Sequence, residues 1–149
     1  MTRVVVDASV VLKWFLGARP GGDDVDSALT LLSAVAAKAI ELVQPPHFIA
    51  EVAAVLIRET PSTAHRDIAD LLEMDMRVVA RPDDYALAMT LAHRYQLHVF
   101  DTLYHALALH TQDAAFVTAD ERFERRARAE GRVLLLRSAQ FTQFRYMPR

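Results

Sequence analysis

No cysteine occurs anywhere in the 149 residues. That excludes a disulfide framework, a thiolate metal site and a cysteine nucleophile. Carboxylates, hydroxyls and six histidines are left to carry any chemistry. The histidines contain no i,i+4 pair and no His-Glu-x-x-His pattern, which removes the zinc-protease class. Lysine is scarce: Lys13 and Lys38 are the only two, and arginine supplies nearly all the positive charge. The net charge of −2 argues against the broad basic surface that drives nonspecific nucleic-acid binding. No apolar stretch is long enough to span a bilayer, and Arg3 leads straight into a strand-like segment rather than a secretory signal. A cytoplasmic protein without membrane contact is therefore expected.

The chain is 52% hydrophobic and 24% charged, a composition that folds around a core rather than staying disordered. Without repeats, low-complexity tracts or an interdomain linker, residues 1–149 read as one domain, with residues from about 138 onward a tail. Val4-Val5-Val6 suits a strand buried on both faces, ending on the carboxylate of Asp7. Ala8 to Leu16 reads as a helix stopped by Gly17, and after a loop Asp23 and Asp24 are placed to cap a helix from Val25 to Ile40. A short strand at 42–44, helices at 47–59 and about 63–75, a strand at 76–80 and a helix at 82–96 follow. Asp101 is expected to cap a helix over about 102–112. Next come a strand at 114–118, a helix capped by Asp120 and stopped by Gly131, and a strand at 133–136. Strands alternate with helices throughout, which predicts an α/β fold with a parallel sheet covered on both faces.

Asp7, Asp101 and Asp120 share a position: each precedes a helix, and Asp7 and Asp120 also follow a strand. Taken singly, each is explained by N-capping, for which Asp is a preferred residue. Taken together, they point to one edge of the sheet, where strand ends and helix starts converge and ligands bind. Glu51 is the only charge between Phe48 and Ile57, and a carboxylate amid that much apolar surface needs a partner. The alternative is that His47, Glu51 and Arg58 form one solvated helical stripe. Ser9 and Thr118 stand two positions from candidate acids, where a hydroxyl orients a carboxylate or a water as readily as it makes an ordinary loop contact. His105, a helical turn beyond Asp101, is expected behind the acids or at the surface. Arg122, Arg125, Arg126, Arg128 and Arg132 read as a solvated face partnered by Glu121 and Glu124.

Four segments in order now carry a family resemblance: Val5-Val6-Asp7-Ala8-Ser9-Val10, Phe48-Ile49-Ala50-Glu51-Val52, Phe100-Asp101-Thr102-Leu103-Tyr104-His105 and Phe116-Val117-Thr118-Ala119-Asp120. Together they resemble the PIN domain, and especially the VapC-type ribonuclease toxins of type II toxin–antitoxin systems. The resemblance implies a three-layer α/β/α fold with a five-stranded parallel sheet in order 3-2-1-4-5. It implies that Asp7, Glu51, Asp101 and Asp120 hold Mg²⁺, or Mn²⁺, supported by Ser9 and Thr118. It implies an RNA substrate, a homodimer and a cognate antitoxin. Phe100 stands where the family often has Tyr, and His105 where an aliphatic residue is common; neither is an acidic position.

Phosphodiester hydrolysis needs a nucleophile and neutralised phosphoryl charge, and a carboxylate-held Mg²⁺ supplies both. Carboxylates about 5 Å apart repel by roughly 3 kcal/mol per pair at an effective dielectric near 20, so such a cluster calls for a cation. Phosphoacceptor folds fit poorly: the position two after Asp7 is Ser9 rather than a second Asp, and no lysine follows Lys38. A PIN-type nuclease for RNA processing or for DNA, and a non-catalytic module whose acids only cap helices, remain the alternatives.

Overall fold

The computed structural model describes residues 2–17 and 24–139. Its centre is β1 (Thr2–Val6), where Val4, Val5 and Val6 are all buried, as a strand covered on both faces requires. After it come α1 (Ala8–Leu16), α2 (Val25–Ala36), β2 (Ile40–Gln44), α3 (Phe48–Glu59) and α4 (Ala64–Glu73). The chain continues through β3 (Met76–Val78), α5 (Pro82–Tyr95), α6 (Val99–Leu109), β4 (Ala114–Thr118), α7 (Glu121–Ala127) and β5 (Val133–Leu135). The five strands form one parallel sheet in the order β3-β2-β1-β4-β5. With helices packed against it, this is the expected α/β/α architecture. The main core joins Val4, Val5 and Val6 to Leu31, Leu42, Phe48, Leu56, Tyr104 and Phe116, and so ties β1 to helices from both halves of the chain. No helix among the described residues is long and apolar enough to cross a membrane.

Several local expectations are corrected. The second helix stops at Ala36 rather than reaching Ile40. Lys38 turns left-handed (φ 59°), and Ala39 N–H closes back on the Ala34 carbonyl at 3.0 Å. That turn frees Ile40 to begin β2, opposite Thr2. The face of α2 that packs inward is Ala28, Leu31, Ala34 and Val35, while Leu29 is exposed. Asp24 occupies the cap position of α2, but its side chain makes no capping bond; Asp23 lies outside the described residues. The tail from residue 140 onward lies outside them as well. The largest shift concerns Asp101, which does not cap a helix: α6 starts earlier, at Val99, and Asp101 lies within its first turn.

Candidate active site

The site grows from two neighbouring strand ends. β1 and β4 are paired in register, Val6 beside Val117, and the Asp7 N–H continues the ladder to the Val117 carbonyl at 3.3 Å. The connection from β1 runs to β2 on one side, whereas β4 lies on the other. The gap above these two strand ends is thus the topological switch point, where open α/β sheets bind ligands. Asp7 caps α1 through Val10 N–H (3.3 Å) and is buried. Both its carboxylate oxygens are also engaged: Ser9 Oγ donates to Oδ1 and Thr118 Oγ1 to Oδ2. Thr118 Oγ1 in turn accepts the Asp120 N–H at 3.0 Å, and Asp120 Oδ1 caps α7 through Phe123 N–H at 3.0 Å. Capping and convergence are therefore one arrangement, in which the caps fix the backbone that aims the acids.

Glu51 enters from α3. Its Oε1 accepts the Tyr104 hydroxyl at 2.8 Å and lies 3.0 Å from His47 Nε2, so it faces α6. Arg58, further along α3, is exposed and pairs with Glu59. The proposed solvated stripe thus divides, with His47 and Glu51 turned to the site and Arg58 to water. Asp101 completes the set from the first turn of α6. Its carboxylate is half-buried and accepts no hydrogen bond among the described residues.

The acids feel one another. Burial pushes the Asp7 carboxyl up to about 6, against the lowering effect of its hydrogen bonds from Ser9, Thr118 and Val10. Asp101 is also raised, first by burial and then by the charges of Glu51 and Asp120. Glu51 goes the other way: burial pulls it up, but the contacts with His47 and Tyr104 outweigh that and hold it below its ordinary value. The Tyr104 hydroxyl is pushed up by burial and by the Glu51 charge, so it remains a donor. Among the described residues, no three His, Asp or Glu side chains sit close enough together to ligate a single ion. The carboxylates nevertheless act on one another: Asp101 feels Glu51 and Asp120, with His98 and His47 working against them, and Asp7 feels Asp101.

The PIN domain family matches residues 4–129, a span that includes Asp7, Glu51, Asp101 and Asp120. The chain belongs to the PIN domain family. No curated protein matches it. PIN domains are nucleases that typically depend on a divalent metal. The donors are of the chemical kind such an ion takes, oxygen only, as Mg²⁺ and Mn²⁺ prefer, although among the described residues no three of them stand close enough to share one ion.

Three residues around this PIN site escape a reading of motifs. Gln44, at the end of β2, is fully buried; its Oε1 accepts the Val6 N–H and its Nε2 donates to the Val6 carbonyl, each at 2.8 Å. The side-chain amide replaces a backbone partner where the β1–β2 ladder ends, and so anchors the residue before Asp7. Tyr104 and His47 hold Glu51 as described. A Gln closing an apolar strand, three residues ahead of a helix, was the available signal. Of the two places expected for His105, behind the acids or at the surface, the surface is excluded, and its contacts are with Phe116, Phe123 and Gly131 rather than with an acid. Its side chain is fully buried between Phe116 and Phe123, and Nε2 is 2.8 Å from the Gly131 carbonyl. The arginine face is only partly solvated. Arg128 makes a bidentate pair with Glu124 at 2.8 Å, but Arg132 turns inward to the carbonyls of Ala108 and Thr111 at the end of α6.

Proposed function

We propose that the protein is a single-domain, divalent-metal-dependent endoribonuclease, the toxin of a toxin–antitoxin pair. In this reading it works in the cytoplasm as a homodimer and is restrained by a cognate antitoxin. The observation that carries the catalytic part is Asp101: a half-buried carboxylate with no hydrogen-bond donor among the described residues, raised first by burial and then by the charges of Glu51 and Asp120. An acid so placed is costly unless a cation joins it.

Asp7 and Asp101 would hold Mg²⁺ directly, with Mn²⁺ able to substitute, and Glu51 and Asp120 would complete the site directly or through water. When bound, the ion supplies neutralisation of phosphoryl charge and makes nearby water more acidic. Ser9 and Thr118 keep the two oxygens of Asp7 aimed by donating to them. Tyr104 and His47 occupy Oε1 of Glu51 and favour its ionised form, which leaves Oε2 to orient the attacking water. Asp120 has Oδ1 committed to the Phe123 N–H, so Oδ2 is its working oxygen.

The test is cleavage of a fluorescently labelled single-stranded RNA and its DNA counterpart, with Mg²⁺, with Mn²⁺ and with excess EDTA. The reading expects metal-dependent cleavage of RNA that is lost in Asp7→Asn and Asp101→Asn. Equal cleavage in EDTA would overturn the metal mechanism, and faster cleavage of DNA would overturn the substrate assignment. The gene next to this one tests the toxin role: a small partner that co-purifies and inhibits cleavage is expected.

A further inference from the structure

A cavity of about 290 Å³ is walled by Arg3, Arg77, Arg81, His110, Thr111 and Gln112. Arg3 stands near the start of β1 and Gln112 just before β4, whereas Asp7 and Thr118 stand at the far ends of the same two strands. Arg3 and Asp7 are four positions apart along extended chain, a rise of about 13 Å. The cavity therefore lies at the opposite end of these strands from the acids.

Three guanidinium groups brought to one cavity repel one another, and here each is held from behind. Glu41 takes Arg3 Nε at 2.7 Å on one carboxylate oxygen and Arg77 Nε at 3.4 Å on the other. Asp84, only 2% exposed, does the same for Arg81 Nε at 3.0 Å and His110 Nδ1 at 2.7 Å. Arg3 Nη1 also donates to the Gln112 carbonyl at 2.9 Å, and Arg81 Nη2 reaches Thr111 Oγ1 at 3.5 Å. Neither carboxylate is among the described residues that line the cavity. Both Nη atoms of Arg77, Nη1 of Arg81 and Nη2 of Arg3 have no partner among the described residues. A network built only for stability would end with its charges matched. This one sets three guanidiniums against two carboxylates, on a chain whose net charge is −2.

The free edge of a guanidinium carries paired donors that match the oxygens of a carboxylate or a phosphate. One fork already satisfies a carboxylate, so several forks around one cavity fit a tetrahedral oxyanion better. The volume stands at the small end of ligand sites, which begin at roughly 300 Å³, and suits one phosphate with a modest attached group.

We propose that the cavity between Arg3, Arg77, Arg81 and His110 is a binding site for a phosphate group, remote from the acids and independent of the nuclease reading. A small phosphate ester and a backbone phosphate of nucleic acid share this chemistry, and the experiment separates them.

The full chain, kept metal-free in EDTA, is titrated with inorganic phosphate, AMP, adenosine and a short RNA with a 5′-hydroxyl end, each against sodium chloride of equal ionic strength. Amide ¹H–¹⁵N spectra locate binding. Saturable shifts at the Thr111 and Gln112 amides are expected with phosphate and AMP and not with adenosine, together with a Tm that rises with phosphate concentration. Arg77→Gln alters a side chain that is 52% exposed, so it should fold as the wild type does and weaken phosphate binding about tenfold. Arg81→Lys keeps a charge beside Asp84 but loses the fork, and should weaken binding by a similar factor. Arg128→Ala, which removes an arginine elsewhere on the surface, should bind phosphate as the wild type does. RNA that moves the same amides and displaces AMP assigns the site to a nucleic-acid backbone, and RNA that does neither assigns it to a small ester. Phosphate shifts no larger than those of chloride, or confined to the amides around Asp101 and Asp120, would overturn the site. So would Arg77→Gln and Arg81→Lys proteins that fold and bind phosphate at wild-type affinity, or an equal loss in Arg128→Ala.

Discussion

Asp7→Asn should make the metal-free protein more stable at pH 8, even though it removes a residue proposed to be essential. Burial carries the Asp7 carboxyl from 3.8 up to about 6, so holding it ionised in the folded state costs about 3 kcal/mol at any pH well above both values. Asparagine carries no charge to desolvate. Its Oδ1 can keep the Val10 N–H and the Ser9 hydroxyl, but its Nδ2 faces Thr118 Oγ1, which then has no acceptor for its own hydrogen. That loss subtracts about 1 kcal/mol. The net gain is about 2 kcal/mol, or roughly 4–8 °C in Tm for a chain of this size. The pH dependence has a definite sign. An acid whose folded value lies above its unfolded one takes up a proton on folding. The wild type therefore gains stability as pH falls from above 6 to about 3.8 and no further. The variant lacks this gain, so the two curves should cross, with the wild type ahead by about 1 kcal/mol near pH 4. Thermal melts by circular dichroism in EDTA from pH 4 to 8 measure this directly. A variant less stable at pH 8, or a difference that does not change with pH, would refute the reasoning.

Other perturbations separate positioning from chemistry. Gln44→Leu should destabilise by about 2–4 kcal/mol, seen in denaturant melts, because it strands the buried N–H and carbonyl of Val6. Tyr104→Phe removes a donor that favours ionised Glu51; activity should fall about tenfold and the acid limb of the pH–rate profile should move to higher pH. His105 is held below its ordinary value by burial, so its contribution to stability is present above pH 6.5 and lost as pH falls through its folded value. His105→Leu should flatten that loss in a Tm-versus-pH series. Arg128→Ala removes only a solvent-screened pair with Glu124 and should leave the melting temperature essentially unchanged.

What could be read from residue types alone was whatever local chemistry decides. Three successive valines placed β1 at the centre, and the alternation of strand and helix patterns led to a parallel sheet. Asp7 and Asp120 cap their helices as expected because the capping bond depends only on the next few residues. The misses share a cause. Ile40 looks like one more apolar position of a helix, and only pairing with Thr2 makes it a strand residue. Asp101 looks like a cap, but the start of α6 is set by tertiary packing that recruits Val99 against Ala88, Leu103 and Ala106. Residues that act across the fold are marked locally by little beyond their type. Gln44 reads as a strand terminus, and its bond to Val6 spans 38 positions. Tyr104 reads as core, and its bond to Glu51 spans 53. The acids could be named as a candidate set because four weak motifs occur in a fixed order, not because any one of them was distinctive.

The most direct test of the metal centre is an anomalous difference map from a crystal soaked in Mn²⁺. The account predicts a peak within coordination distance of both Asp7 and Asp101, with Glu51 and Asp120 around it. Mn²⁺ bound elsewhere, or these four carboxylates free of metal at saturating concentration, would contradict it.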